Sequence, residues 1–314
     1  MQSLENEYLA WVDFYPARDS PELNENEMKN PIHIAVLDLY NQFPNEGMRC
    51  IKQLLEELTA SNSWVKKVDY FDIRAKGEFP NPNEYDIFIS SGGPGDPKLT
   101  GEHWEDKYVK LVDNCLEHNK TALRKKYIFF ICHSFQVMVQ HWGLAEVNKR
   151  KSTSFGVMPV HRIGMGLEEP LFEGLDEPFY VVDSRDYQVV QPNRSRLQEF
   201  GASVICLEKF RPTIPLERAI MGIRFSKEMI GTQFHPEADP VGMAHYLKQD
   251  EKKEIVISHH GEDKYFEMLE HLYDDDKIKS THNTILPKFL YFAVQELQQN
   301  EQEKSNIKHQ HARI

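Results

Sequence analysis

Residues 127–138 read "YIFFICHSFQVM", and the fold turns on how this stretch is understood. Five of the six residues before Cys132 are aromatic or β-branched, so the run predicts a fully buried strand. It then stops in a cysteine, a histidine and a serine. A strand that turns sharply into a helix holds its corner residue at the helix N-terminus, where the dipole and free N–H groups favour a thiolate. The same cysteine is equally readable as a small buried hydrophobe, the usual state of a free thiol.

The flanking segments predict the architecture around this strand. "IHIAVLDLY" (32–40), "WVKKVDYFDI" (64–73) and "YDIFIS" (85–90) read as strands. Helices are expected at 47–60, at about 102–118 and from about 134 to 142. Strands alternating with helices imply an α/β fold, an open and mostly parallel sheet with helices on both faces. Between 146 and 224 the chain becomes short strands and turns with no strong helix, which predicts a small antiparallel layer appended to that sheet. "MIGTQFHPEAD" (229–239) is one more strand with a polar end, and the pattern is helical again from 240. In "ILPKFLYFAVQEL" (285–297), Pro287 suits the first turn of a closing helix. The organisation expected is a polar extension over 1–30, one domain over 31–240, a helical extension over 241–300 and a disordered tail over 301–314.

Bulk properties exclude several functions. The 314 residues carry a formal charge of −12, whereas a nucleic-acid surface needs a basic stripe. The N-terminus is acidic where a leader would be basic, and the longest apolar stretch is interrupted by His133, Ser134, Gln136 and Gln140. No membrane partner is expected. Four cysteines lie far apart without a CxxC pair, so neither a disulfide framework nor a zinc site is indicated, and a reducing, cytoplasmic setting is the expectation. No metal and no organic cofactor is expected. The pair His259–His260 is better read as an exposed turn than as metal ligands.

Two further strand ends accompany Cys132. Ligands of open α/β sheets bind outside the carboxyl ends of the parallel strands, so the three ends can meet at one site. In "HPE", His235 and Glu237 point to the same side of an extended segment, which lets the carboxylate orient the imidazole beside a nucleophile. A solvent-facing His and Glu at a strand end fits the triplet too. "SSGGPGDP" (90–97) has no following Lys-Ser/Thr for a phosphate loop and no GxGxxG for a dinucleotide. It is either a tight turn or one wall of an oxyanion hole formed by the N–H groups of Gly93 and His133.

Together, the Gly-Gly-Pro-Gly-Asp-Pro loop, the Cys-x-x-x-Gln elbow and Gln-Phe-His-Pro-Glu resemble the class I glutamine amidotransferases, most closely the free-standing GMP-synthase-like members. "KRKSTSFGVMPV" and "DSRDYQVV" look like that family's mid-domain strands, and the similarity runs from about 32 to 240. The resemblance implies a flavodoxin-like fold with Cys132 as nucleophile, His235 as general base and acid, and Glu237 as orienting carboxylate. It places Gln136, Asp183, Ser184 and Asp186 at the glutamine pocket. The implied reaction is attack on the L-glutamine side-chain amide, release of ammonia and hydrolysis of a γ-glutamyl thioester. Nothing after 240 resembles a synthase half, so an acceptor subunit on another polypeptide is expected. A γ-glutamyl hydrolase or homoserine acyltransferase-like enzyme is the alternative, and a non-catalytic regulatory homologue a third. One departure stands out: the family elbow, Gly-x-Cys-x-Gly-x-Gln, has glycines where this chain has Phe130 and Ser134. Ser134 could cap the new helix. Phe130 requires a differently seated elbow or opened surroundings, which bears on the efficiency of hydrolysis.

Overall fold

The computed structural model describes residues 30–211, 217–272 and 274–311. The expected extension at 1–30 therefore lies almost wholly outside the described residues.

The buried run at 127–131 is the middle of a nine-stranded sheet. Its strands are β1 (Ile32–Asp38), β2 (Val65–Asp72), β3 (Ile87–Ser90), β4 (Tyr127–Ile131), β5 (Glu146–Arg162), β6 (Phe179–Val190), β7 (Ser203–Glu208), β8 (Ile220–Arg224) and β9 (Met229–Thr232). They lie in the order β2-β1-β3-β4-β9-β8-β7-β5-β6. The first five in that order are mutually parallel, and every pairing from β9 to β6 is antiparallel. The expected antiparallel layer is thus hydrogen-bonded into the same sheet as the parallel core.

Both faces of the inner parallel strands β3, β4 and β9 are covered, which is why these are apolar without alternation, whereas the edge strand β2 is partly exposed and carries charges. Tyr127, Phe129 and Ile131 of β4 join one hydrophobic cluster, with residues of α1 (Glu46–Ser61) and of the last helix. Ile128 and Phe130 join the opposite cluster, with α2 (Glu105–Thr121) and α3 (His133–His141). α1 starts at Asn45, whose side chain accepts the Met48 N–H at 2.8 Å, a standard N-cap.

Two elements differ from the sequence reading. A short helix, α4 (Arg194–Phe200), interrupts the middle section. Asn193 caps its start by accepting from the Arg196 N–H, and Gly201 closes it at φ 77°. Helices α5 (Pro240–Leu247), α6 (Asp250–His260) and α7 (Glu262–Leu272) then lead to α8 (Ser280–His311). Pro287 is inside α8, one full turn and more beyond its start, rather than in the first turn. Apolar contact decides this: Ile285, Leu286, Phe289, Leu290, Ala293, Val294 and Leu297 all bury into the first cluster, which outweighs one lost helical hydrogen bond. α8 also runs on to His311, through positions where the sequence favours a frayed tail.

The helices α5 and α7 cover the β5–β6 hairpin through Met243, Leu247, Tyr265 and Met268 against Val157 and Val182. Gly156, at φ 123°, admits Met268 so closely that a Cβ there would lie 2.5 Å from its Cε.

Candidate active site

β3, β4 and β9 are adjacent and parallel, so their carboxyl ends deliver "SSGGPGDP", Cys132 and "QFHPE" to one place. Cys132 sits at φ 48°, ψ −96°, a left-handed backbone that a cysteine adopts only under constraint, and α3 begins at the next residue. The corner is held from both sides. The Cys132 N–H bonds the Thr232 carbonyl at 2.8 Å, and its own carbonyl accepts the Gln136 N–H at 3.0 Å.

Phe130 is accommodated by opened surroundings. Its register partner across β9 is Gly231. A Cβ on Gly231 would stand 3.2 Å from Phe130 Cβ and 2.7 Å from Phe135 Cδ2. The small residue needed beside the elbow has moved to the neighbouring strand, and the Phe130 ring packs edge-on against Trp142 and Phe225. Ser134 does not cap α3. Its Oγ accepts from the Ile131 N–H at 2.9 Å and donates to the Ser90 carbonyl at 2.8 Å, tying β4 to β3 beneath Cys132.

The imidazole and carboxylate of the HPE segment meet as expected. His235 Nδ1 lies 2.8 Å from Glu237 Oε1, and Glu237 is fully buried. The Cys132 sulfur is near enough to act on the ring electrostatically. Burial works against a charged imidazole here, yet the Glu237 carboxylate and the Cys132 sulfur hold the His235 pKa well above the ordinary histidine value. The segment is pinned from three elements. The His235 N–H bonds the Val182 carbonyl at 2.9 Å, His282 of α8 bonds the Glu237 carbonyl at 2.9 Å, and Arg49 of α1 pairs with Asp239 at 2.7 Å.

The glycine loop packs against this pair. A Cβ on Gly92 would lie 2.9 Å from His235 Cε1 and 3.2 Å from the Tyr40 hydroxyl, and one on Gly93 would lie 2.4 Å from the Leu39 carbonyl. Glycine is required at both. Arg74 braces the loop by donating to the Pro94 carbonyl at 2.6 Å. The Gly93 and His133 N–H groups bond no acceptor among the described residues. The His133 ring turns away into the core, near Trp104. Burial, and secondarily the Arg74 guanidinium, push its pKa down to about 3, with Asp96 opposing; this ring is neutral and is no second base.

The pocket residues divide. Ser184 reaches the site through its backbone, the Cys132 thiol donating to its carbonyl at 3.7 Å. Asp183 is a strut of β6: its buried carboxylate accepts from Arg185 Nε at 2.9 Å and from Ser154 Oγ at 2.6 Å. Asp186 is exposed and accepts from Thr153 Oγ1 at 2.5 Å. Gln136 Nε2 donates to the Tyr187 carbonyl at 3.2 Å and to Gln233 Oε1 at 2.9 Å, while Gln233 Nε2 lies 3.6 Å from Cys132 Sγ.

The sequence reading missed Gln233 and Tyr40. Gln233 stands two residues before His235, and the same alternation that paired His235 with Glu237 would have placed it at the site. Tyr40 carries no such signal. Its hydroxyl packs against Gly47 and Gly92, the glycines that also border Glu237 and His235, and burial, then the Glu237 and Cys132 charges, keeps the phenol protonated.

Among the described residues no group of His, Cys, Asp and Glu has the arrangement of a metal site, and no helix is long and apolar enough to cross a membrane. The side chains of His259 and His260, at the end of α6, lie outside the described residues.

The family model for glutamine amidotransferase class-I matches residues 35–268. Solved structures share the fold at low identity. The protein SMU.1228c superposes with a TM-score of 0.61 at 16% identity, over 84% of this chain and 100% of its own. A glutamine amidotransferase from Thermotoga maritima gives 0.55 at 16% identity, over 82% and 97%. A glutamine amido transferase from Methylobacillus flagellatus gives 0.55 at 14% identity, over 85% and 95%. No curated protein matches by sequence.

Proposed function

The chain belongs to the class I glutamine amidotransferase family, and from that premise we propose that it hydrolyses the side-chain amide of L-glutamine through a Cys132 thioester and passes the ammonia to an acceptor on a separate subunit. The observation that carries this reading is the His235 ring held at 2.8 Å by the buried Glu237 carboxylate at the strand ends that also present Cys132.

In the first half, Cys132 Sγ attacks the amide carbon and its oxygen gains charge. The Gly93 and His133 N–H groups face that oxygen, each donor worth about 10²–10³ in rate. His235, held protonated by Glu237, gives its proton to the departing nitrogen as the C–N bond breaks, and ammonia leaves. In the second half, the now neutral ring takes a proton from water as the water attacks the thioester. Glutamate is released and the sulfur recovered. Glu237 keeps one tautomer in place throughout, because its Oε1 accepts from Nδ1 and leaves Nε2 for the chemistry. No step calls for a metal or an organic cofactor.

The test is ammonia release from L-glutamine by the purified protein beside a Cys132→Ala variant. Turnover lost in the variant supports the reading. Covalent labelling of Cys132 by a glutamine-like chloroketone, with no ammonia released, would point to a site that waits for its partner. Absence of both would overturn it.

A further inference from the structure

The Cys132 sulfur has a neighbour that belongs to neither the Cys–His–Glu set nor the glycine loop. Gln233 is wholly buried at the end of β9, and its Nε2 lies 3.6 Å from Sγ. An amide can present either its oxygen or its NH₂ group to such a contact, so what decides between them matters. The answer lies two side chains away. The Tyr187 backbone carbonyl can only accept, so the group of Gln136 that meets it at 3.2 Å is the NH₂. The second hydrogen of that NH₂ is shared with Gln233 at 2.9 Å, so Gln233 must offer its oxygen there. That leaves the Gln233 NH₂, and not its oxygen, against the sulfur.

We propose that Gln233 is a further residue of the reacting centre, donating a hydrogen bond to Cys132 that favours the thiolate, and that Gln136 is the positioning residue that fixes which way the Gln233 amide faces. The inference rests on the nucleophilic role assigned above to Cys132, and deepens it. A donor to sulfur helps only the charged form, because the neutral thiol is a weak acceptor while the thiolate is a strong one. The resting thiol has the opposite option, donating to the Ser184 carbonyl at 3.7 Å. Sγ therefore lies between an acceptor suited to the thiol and a donor suited to the thiolate. In this arrangement the Gln136 Nε2 is already occupied, and only its oxygen remains for a substrate amine.

Tyr40 from the loop after β1 and His235 from the segment after β9 also interact electrostatically with the sulfur, and Glu237 acts on both of them. On β6, Asp183 and Arg185 are closed on each other, and His133 of α3 turns inward. None of these is altered by replacing Gln233 or Gln136 with methionine, which matches glutamine in length and carries no charge.

The experiment measures the rate of Cys132 alkylation by iodoacetamide from pH 5 to 10 in the full chain, read by mass spectrometry of the Cys132 peptide. Gln233→Met is expected to move the midpoint upward by about one pH unit, about a tenfold slower reaction below the midpoint. Gln136→Met is expected to move it the same way by a smaller amount, since Gln233 is then free to turn its oxygen to the sulfur. Profiles that overlay the wild type in both variants would overturn the proposal. A shift in Gln233→Met alone would overturn the part assigned to Gln136. Should Gln233→Met fail to fold, as judged by circular dichroism, the Gln136→Met profile alone decides. Alkylation needs no glutamine, so shifted profiles in a protein with neither turnover nor chloroketone labelling would sink the proposed reaction and leave the relay standing.

Discussion

Replacing His133 with glutamine should make the protein less sensitive to acid. The His133 ring is almost wholly enclosed beside Trp104, and burial together with Arg74 lowers its pKa to about 3. In the unfolded chain the same ring titrates near 6.5. Between those values the unfolded state binds a proton that the folded state refuses, so stability rises with pH and is lost as pH falls. Each unit below 6.5 costs about 1.4 kcal/mol, and from pH 7 to pH 5 the loss sums to about 2 kcal/mol. That is a sizeable share of the roughly 5–15 kcal/mol that holds a typical protein folded. Urea unfolding followed by far-UV circular dichroism at pH 7, 6 and 5 measures it. Every other group titrates alike in the two proteins, so the difference between their stabilities isolates His133. The wild type should lose about 2 kcal/mol more than His133→Gln over this range. Parallel losses would refute the reasoning and mean that the ring takes up its proton without leaving its site.

Three more outcomes follow from the packing of the site. Glu237→Gln should lower kcat by roughly 10²–10⁴, as for loss of the orienting carboxylate in other triads. Because the Glu237 charge helps raise the His235 pKa, the alkaline limb of the rate profile should also move to lower pH; an unmoved limb would show that Glu237 does not act through the ring. Ser134→Ala leaves the buried Ile131 N–H without its acceptor and should cost about 1–3 kcal/mol, read as a lower Tm by scanning calorimetry; an unchanged Tm would mean water replaces the hydroxyl. Gly231→Ala drives a methyl group into Phe135, Phe225 and Phe130 and should destabilise by about 1–3 kcal/mol in chemical denaturation, while a neutral result would show that the aromatic cluster can give way.

These expectations trace a division in what the chain makes legible. The continuous apolar runs ending at Asp38, Ser90, Ile131 and Thr232 announced a parallel sheet covered on both faces, because burial of both sides leaves no alternation to read. Polar residues at three of those ends marked the candidate site, since such groups are costly at the end of a buried strand unless used. Both signals are local and survive in a single sequence. The tertiary structure alone decided how Phe130 is tolerated, because its relief is Gly231, a cross-strand neighbour far away in the chain. It alone showed that Asp183 closes on Arg185, that α8 runs through Pro287, and that the antiparallel strands extend the one sheet. The facing of the Gln233 amide depends on a carbonyl of β6 relayed through a side chain of α3, three elements that meet only in the folded protein. Periodicity tells a residue which side of its own strand it occupies, whereas pairing, compensation and hydrogen-bond direction are set by partners that only folding brings within reach.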